Sequence, residues 1–485
     1  MFYALAVFAG LKSDLTSANI TAVFPGDSNY TSASTPFNLR FSFQPATITY
    51  PQTIQDVSTI IKLGATYNLK VAARSGGHSY IANGLGGRDG VLVVDLSNFK
   101  KITVDSSTGT AVIGTGNRLG TIALELNKAS RALPHGSCPY VGIGGLSGYG
   151  GFGFTARQWG LTLDTIQSIN MVTGDGSIVT ASRSQNSDLF WAMRGSAGSF
   201  GITTSIEVTT FPAPPSATIF YYYWDLSVSD AANAFSSFQS FVQTDIPPEL
   251  GTEIDLNKGT APGRVSFLLT GGWYGLAANL NATLAPLLDK LPSNPAVTLK
   301  PGSYIDSVQV LAGSQSIDTT QGPDTHNTFY AKSLMTPASS PMSTIAITAL
   351  MNYIGNEGYS SSSITPWFCQ IELYGGGNSA INAVSTDDTA FAHRSSLFTI
   401  QFYASSSNAQ PPFPDSGLTF LDGMVNSIVS NSPSNWDYGA YPNYIDNRLQ
   451  DWQTRYYGSH YGRLQSLKQA YDPMDLFAFP TAIEE

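Results

Sequence analysis

Charge is what this sequence has least of. Only 12% of its 485 residues are Asp, Glu, Lys or Arg, about half the ~25% usual in soluble domains. The surface must be built from uncharged polar groups, chiefly Ser, Thr, Asn and Tyr. The charge that remains is mostly of one sign: 34 acidic against 24 basic residues leave a net −10. That balance argues against nucleic acid and anionic membrane surfaces as partners, and suits neutral substrates. Cysteine is nearly absent. Cys138 and Cys369 are the two in the chain, too few for a disulfide framework. No run of ~18 apolar residues exists, so no membrane span is expected. The five histidines, His78, His135, His326, His393 and His460, are scattered. There is no H-E-x-x-H, no Cys/His cluster and no G-x-S-x-G. No metal ligands are assigned, and a serine-hydrolase elbow is excluded.

Glycine, by contrast, is abundant and clustered. Val71-Ala-Ala-Arg-Ser-Gly-Gly-His-Ser-Tyr80 joins a short apolar run to a glycine turn. Glycine lets a backbone approach a ligand closely, and successive N–H groups in such a turn form an anion-binding concavity. Arg74 and Ser75 stand beside it. The second cluster follows Cys138, in Pro134-His-Gly-Ser-Cys-Pro-Tyr-Val-Gly142 and the glycines at 144, 145, 148, 150, 151 and 153. So much glycine costs conformational entropy and needs a reason. Gly148 to Gly153 matches the dinucleotide pattern G-x-G-x-x-G, but no strand runs into it and the pattern is degenerate in a glycine run. Cys138 with His135 as a thiol nucleophile pair is the weaker reading of the same loop.

Along the chain, Thr53 caps a helix with Asp56 three residues on, and Leu69 to Ala73 is a strand that delivers His78. Strands over Val91–Asp95, Ile102–Asp105, Thr110–Gly114, Ile166–Thr173 and Ile178–Ala181 surround a helix over Leu119–Lys128. Pro212-Ala-Pro-Pro215 marks a boundary. Beyond it, aromatic strands alternate with helices over Leu280–Lys290, Ser343–Tyr353 and Leu418–Val429. The expected architecture is α+β. Residues 1–212 form one unit, 213–450 a second with an antiparallel sheet covered by helices on one face, and 451–485 return to the first. Side chains two apart on a strand share a face. Phe368, Gln370 and Glu372 therefore oppose Trp367, Cys369, Ile371 and Leu373. Glu253, Asp255 and Asn257 oppose Ile254 and Leu256, and Thr399, Gln401 and Tyr403 oppose Phe398, Ile400 and Phe402. Such a polar-aromatic face is either solvated surface or the roof of a polar substrate site.

Arg74-Ser-Gly-Gly-His78 and Gly136-Ser-Cys-Pro139 resemble the two flavin-linking motifs of the berberine-bridge-enzyme-like branch of FAD-linked oxidases. The likeness continues through Trp159-Gly-Leu-Thr-Leu-Asp164, Asp188-Leu-Phe-Trp-Ala-Met-Arg-Gly195 and Tyr471-Asp-Pro-Met-Asp-Leu-Phe477, and so covers nearly the whole chain. Departures are Leu146, where many members have histidine, and Tyr149, where many have glycine. The resemblance implies FAD held covalently, His78 on the 8α methyl and Cys138 on ring position 6. It places Arg74, Ser75, Gly76, Gly77, Ser79, Gly142, Gly145, Gly201 and Ile202 against the cofactor. Asn443-Tyr-Ile-Asp446 matches the context of a catalytic tyrosine, which makes Tyr444 the base and Glu372 its acidic partner, where aspartate is common. Leu373-Tyr-Gly-Gly-Gly-Asn-Ser-Ala380 and Ala390-Phe-Ala-His-Arg394 are most similar to fungal gluco- and chito-oligosaccharide oxidases. That similarity puts Tyr80, Asp255, Tyr330, Phe368, Gln370 and Gln401 on the sugar. Val141 matches a position where valine accompanies oxygen reactivity.

The expected activity is oxidation of oligosaccharide reducing ends at C1 to lactones, with O2 reduced to hydrogen peroxide. The rivals are a flavin oxidase of a small secondary metabolite and a flavin-free carbohydrate-binding protein. Sequons at Asn19, Asn29 and Asn281 lean towards a secreted glycoprotein, and a monomer is expected. The apolar start, Met1 to Gly10, lacks a basic region. It reads as a signal remnant, a non-native start or a buried strand.

Overall fold

A computed structural model describes residues 2–322, 324–362 and 364–485. Met1 lies outside it, and Phe2–Ser17 is a helix rather than a strand. The first unit is built on two main sheets, with a short pairing of Arg131–Ala132 and Phe211–Pro212 beside them. One is a four-stranded sheet in the order Thr21–Val23, Thr47–Tyr50, Leu92–Asp95, Val71–Arg74. Its last two pairings are parallel, and the crossover helix Ile54–Thr66 opens with the Thr53/Asp56 capping box that the sequence predicts. The second sheet is five-stranded and antiparallel, ordered Ile102–Asp105, Thr110–Gly114, Gly201–Thr209, Ile166–Thr173, Ile178–Ser182.

The second unit is built on one seven-stranded antiparallel sheet. Its order is Ala296–Gly302, Ala217–Ser227, Arg264–Trp273, Leu250–Lys258, Trp367–Leu373, Ser396–Ser405, Phe329–Pro337. Alternation sorts the strands as the sequence requires. Ile254, Leu256, Cys369, Ile371, Ile400 and Phe402 are wholly buried and pack against helices Val228–Val242, Thr344–Tyr353 and Asp415–Val429. Helix Tyr304–Leu311 packs at one end of the opposite face, beside Ala217 and Tyr274, and the rest of that face is free to turn its polar and aromatic side chains towards the first unit.

The C-terminal segment closes the gap between the two units. Tyr441, Tyr456, Tyr457 and Leu464 join the same buried cluster as Ile113, Met171 and Phe190 of the first unit. Helix Tyr461–Tyr471 is polar on most of its surface, yet Lys468 is fully buried on it. Its Nζ lies 2.7 Å from Asp472 Oδ2 and also donates to the Ser199 and Phe477 carbonyls. Asp472 in turn accepts the Leu476 and Phe477 amides, which turns the chain back on itself. Removing one member of such a pair strands the other charge in a dry site. Lys468→Met should destabilise the fold by about 3–5 kcal/mol, with part of the loss recovered in Lys468→Met/Asp472→Asn. Chemical denaturation of the three proteins checks this.

Candidate active site

The Val71–Arg74 strand ends in the turn Ser75-Gly76-Gly77, with Gly77 at φ +76°. The turn touches the Cys138 loop backbone to backbone. A Cβ on Gly76 would stand 2.4 Å from the Gly142 nitrogen, and one on Gly142 2.1 Å from the Gly76 nitrogen. Only glycine permits that approach. Ser75 Oγ completes the join by donating to the Thr115 carbonyl and accepting from the Gly144 amide. Gly145 is the opposite case: a Cβ there would meet nothing within 4 Å, because it faces an open cavity. His78, Ser79, Cys138, Gly145 and Gly201 all line that one cavity, with glycine backbone as its floor. An elongated cofactor with a diphosphate fits these walls, and the residues present suit FAD.

Arg74 also lines the cavity, but its guanidinium is committed elsewhere. Nε bonds Asp95 Oδ2 at 2.5 Å and Nη1 the Ala33 carbonyl at 2.6 Å. It braces the turn and offers the cavity its stem and backbone. His78 is held on two sides. Its ring stacks on Phe37 at 3.6 Å between centroids, and Nε2 lies 3.4 Å from Asp324 Oδ2. Burial, then the Arg118 guanidinium, push its pKa down to about 3. The ring is therefore neutral, and the contact is between an N–H and a carboxylate rather than two ions. Cys138 is exposed to the cavity yet enclosed by protein, and that enclosure raises its thiol, with the Asp324 charge as the next cause. His135 bonds the Gly136 carbonyl instead of pairing with this thiol.

The cavity's roof is the polar face of the large sheet. Tyr444, on the short turn Pro442–Tyr444, donates its hydroxyl to Glu372 Oε1 at 2.9 Å. The extra methylene of glutamate does not prevent contact. Glu372 Oε2 is buried without a partner, so one lone pair remains to be satisfied. Tyr80 stacks parallel to Tyr444 at 6.1 Å and accepts from Gln401 Nε2 at 2.8 Å. Gln370 Nε2 donates to Glu253 Oε1 at 2.7 Å. Glu253 stands directly opposite Glu372 in register, and Asp255 opposite Gln370. These three carboxyls share one poorly solvated face, so ionising all of them is unfavourable. Burial raises Glu372 to about 8, with Asp255 adding to the rise and the Tyr444 hydrogen bond opposing it. Burial raises Asp255 to about 7. Glu253 is driven well above the carboxylate range by burial, then by Asp255 and Glu372. Tyr444 is likewise raised by burial and by Glu372, so its hydroxyl stays protonated at rest.

Two sequence-based assignments are corrected. Tyr330 is 1% exposed and packs on the helix side of the sheet, among Lys332, Arg40 and Arg448. Alternation turns its neighbour Phe329 to the other face, against Tyr80, Phe37 and Tyr403. Ile202 points into the core with Val172 and Leu476, while Gly201 and Thr203, on the other face of the strand, line the cavity. Phe368 and Asp255 share the site's face but sit beside the cavity rather than on its wall. Phe368 stacks on Tyr403 at 4.8 Å. Glu253 is a lining residue that the site assignment passed over, although its spacing from Asp255 put it on this face. Phe37 and Asp324 carried no local signal. They reach His78 from far along the chain.

Comparison with known proteins agrees with this geometry. Residues 45–182 match the model of an FAD binding domain, and 440–484 that of berberine and berberine-like proteins. Over 99% of its length the chain is 35% identical to a carbohydrate oxidase of Microdochium nivale, covering 96% of that protein. It is 34% identical to a chitooligosaccharide oxidase of Gibberella zeae over 98% of this chain and 94% of that one. Among solved structures, the Acremonium strictum glucooligosaccharide oxidase, described as carrying 6-S-cysteinyl, 8α-N1-histidyl FAD, superposes with a TM-score of 0.91. The identity is 33%, with 98% of this chain and 99% of that one covered. A cradle of apposed glycines, a neutral histidine and a thiol on one cavity, and a tyrosine–carboxylate pair above them place this chain in the berberine-bridge-like family of FAD-linked oxidoreductases.

Proposed function

We propose that this chain oxidises the reducing ends of oligosaccharides at C1, with FAD attached through His78 and Cys138 and dioxygen as the final acceptor. The hydrogen bond from Tyr444 to Glu372 carries the reading. Oxidising an anomeric hydroxyl requires removal of its proton as C1 gives up a hydride. Tyrosine has an ordinary pKa of ~10, and here burial and Glu372 raise it further, so it cannot wait as a tyrosinate. It acts instead as a relay. Its oxygen takes the substrate proton while its own proton passes to Glu372 across 2.9 Å. Bound flavin supplies the hydride acceptor. Tyr80, Gln370, Gln401 and Glu253 orient the sugar: ring faces stack on the pyranose and amides and carboxyls bond its hydroxyls. The lactone product opens in water to an aldonic acid, and the peroxide product follows from dioxygen. Val141 lines the cavity three residues past Cys138, a position suited to oxygen access. His78 carries the attachment through Nδ1, since Nε2 faces Asp324. Exposed Asn19, Asn29 and Asn281 suit glycosylation of a secreted protein that works as a monomer.

Peroxide release on cellobiose, lactose, xylobiose and chitobiose, set against monosaccharides and small aromatic alcohols, tests the substrate class. No turnover of any sugar rejects it. Tyr444→Phe should leave FAD bound and slow its anaerobic reduction by sugar about 10²–10⁴-fold. An unchanged reduction rate removes Tyr444 from the relay.

The relay also predicts a pH dependence. Glu372 must be ionised to accept a proton, and its pKa is pushed up to about 8. Below that pH it is protonated, so kcat/KM should fall about tenfold per pH unit, and level off above it. Asp255 is one cause of the rise, so Asp255→Asn should move the ascending limb to lower pH. Glu372→Gln should abolish the limb with the activity. A limb near pH 4.5 in the parent enzyme contradicts the assignment.

A further inference from the structure

The contact between His78 and Asp324 takes no part in the Tyr444 relay. Asp324 lies between helix Tyr304–Leu311 and strand Phe329–Pro337, and its segment is tied to the chain around Phe37. The Asn327 amide donates to the Phe37 carbonyl at 3.1 Å, and the Leu39 amide to the Asn327 carbonyl at 2.8 Å. His326 Nδ1 lies 2.7 Å from the Pro36 carbonyl. Phe37 and Asp324 thus reach His78 as two jaws of one clamp. Phe37, stacked at 24°, fixes the plane of the imidazole. Asp324, 3.4 Å from Nε2, fixes which nitrogen is which. With the proton on Nε2, towards Asp324, the lone pair lies on Nδ1.

Asp324 is itself conspicuous. Its side chain is 10% exposed, and Oδ1 is buried with no hydrogen-bond partner among the described residues. An idle buried carboxylate oxygen lowers stability. At 3.4 Å its partner oxygen is a little far for a good hydrogen bond, and a shift of about 0.5 Å makes one. Arg118 and His326 are the charged or titratable groups beside it that favour its ionised form, against the rise caused by burial. Burial wins over them, so this is a carboxyl that gains by holding a proton.

We propose that Asp324 is a positioning residue for flavin attachment: it receives the Nε2 proton of His78 as Nδ1 bonds to the carbon of the flavin 8-methyl group. The inference rests on the covalent-flavin reading above. The atoms balance as follows. One C–H bond of the methyl group breaks and one N–C bond forms. The methyl proton and the Nε2 proton are released, the latter by way of Asp324. The two electrons of the broken C–H bond remain on the ring system until dioxygen takes them, with both protons, as hydrogen peroxide. The attached imidazole is left neutral, its Nε2 lone pair facing Asp324, which has passed the proton on.

The test is the covalent state of the flavin rather than turnover. The full chain and its Asp324→Asn form are produced alike and denatured in acid, and tryptic peptides containing His78 and Cys138 are weighed. Asparagine keeps the shape but cannot take the proton. The His78 adduct should fall about tenfold or more while total bound FAD and the melting temperature stay at the parent's level. Asp324→Glu should restore part of the adduct, and Asp324→Ser serves if the asparagine form does not accumulate. In a Cys138→Ala background the parent should keep its flavin on denaturation and the Asp324→Asn form release it. A His78 adduct at the parent's level in either background overturns the proposal. So does loss of both links together with FAD binding, which marks Asp324 as merely structural. A parent protein with no covalent flavin defeats the linkage reading itself, a result distinct from these.

Discussion

Two buried carboxyls face each other across neighbouring strands, and the site depends on their not both being charged. Like charges directly opposite on a sheet are unfavourable, and Glu253 and Glu372 are paired in register at positions that are each 6% exposed. The protein resolves the conflict by asymmetry. Glu372 has a hydroxyl donor in Tyr444, which stabilises its ionised form. Glu253 has the amide of Gln370, but it stands beside Asp255 as well as Glu372 and is driven higher. Glu253 therefore keeps its proton and Glu372 can lose its own. A protonated Glu253 is a donor as well as an acceptor, a useful property opposite a sugar hydroxyl. Burial, usually a penalty for acids, here makes a weak acid strong enough as a base to relieve a tyrosine.

That arrangement works only if the sheet is held at a fixed height over the cavity floor. Two buried arginines do this. Arg157 donates to the Gly375, Leu250 and Pro247 carbonyls and forms no ion pair among the described residues, with Glu249 the charge that favours its ionised form. It needs no such pair, because peptide dipoles from the strand ends replace a counter-ion. Arg394, at the other end, grips Asp164 through two hydrogen bonds of 2.9 and 2.7 Å. Both tie the segment from Ala156 to Asp164 to the large sheet. The Trp159–Asp164 stretch, which carried family likeness but no chemistry of its own, is thus the joint between floor and roof.

Much of this was legible in the sequence, for a physical reason. Alternation with period two is imposed by the backbone, so Phe368, Gln370, Glu372, Gln401 and Glu253 could be put on one face without a structure. The same rule accounts for Tyr330, which the resemblance put on the sugar: neighbours on a strand face opposite ways, and Phe329 is the one that meets Tyr80. The glycine turn at Gly76 was readable because only glycine tolerates the approach that the structure contains. Helix Val228–Val242 was passed over, since its Ala, Ser and Phe positions lack the charge contrast that marks an amphipathic helix. Helix Tyr461–Tyr471 was missed because it is polar almost throughout and owes its position to Lys468. The cavity's remote contributors, Phe37 and Asp324, could not be read at all. Their relation to His78 depends on a bridge between Asn38 and Asn327, a contact across most of the chain with no local pattern.

The position of Tyr444 brings these levels together. A three-residue turn cannot hold a catalytic side chain by itself, and here each neighbour is anchored separately. Before it, the Tyr441 hydroxyl accepts the Gly151 and Phe152 amides, and Asn443 donates to the Leu146 carbonyl. These fasten the turn to the cofactor cradle, at Leu146, Gly151 and Phe152 of the glycine run. After it, Asp446 is 2% exposed and bonded to Lys332 at 3.1 Å, and its amide donates to the Tyr456 hydroxyl. These fasten the turn to the edge strand of the sheet and to the C-terminal return. Tyr444 is thereby referenced to floor and roof at once, which a relay between a substrate on one and a carboxylate on the other requires. The Asn-Tyr-x-Asp pattern is accordingly a positioning device. Its asparagine and aspartate point to different bodies of the protein, and the tyrosine between them is placed where those bodies meet.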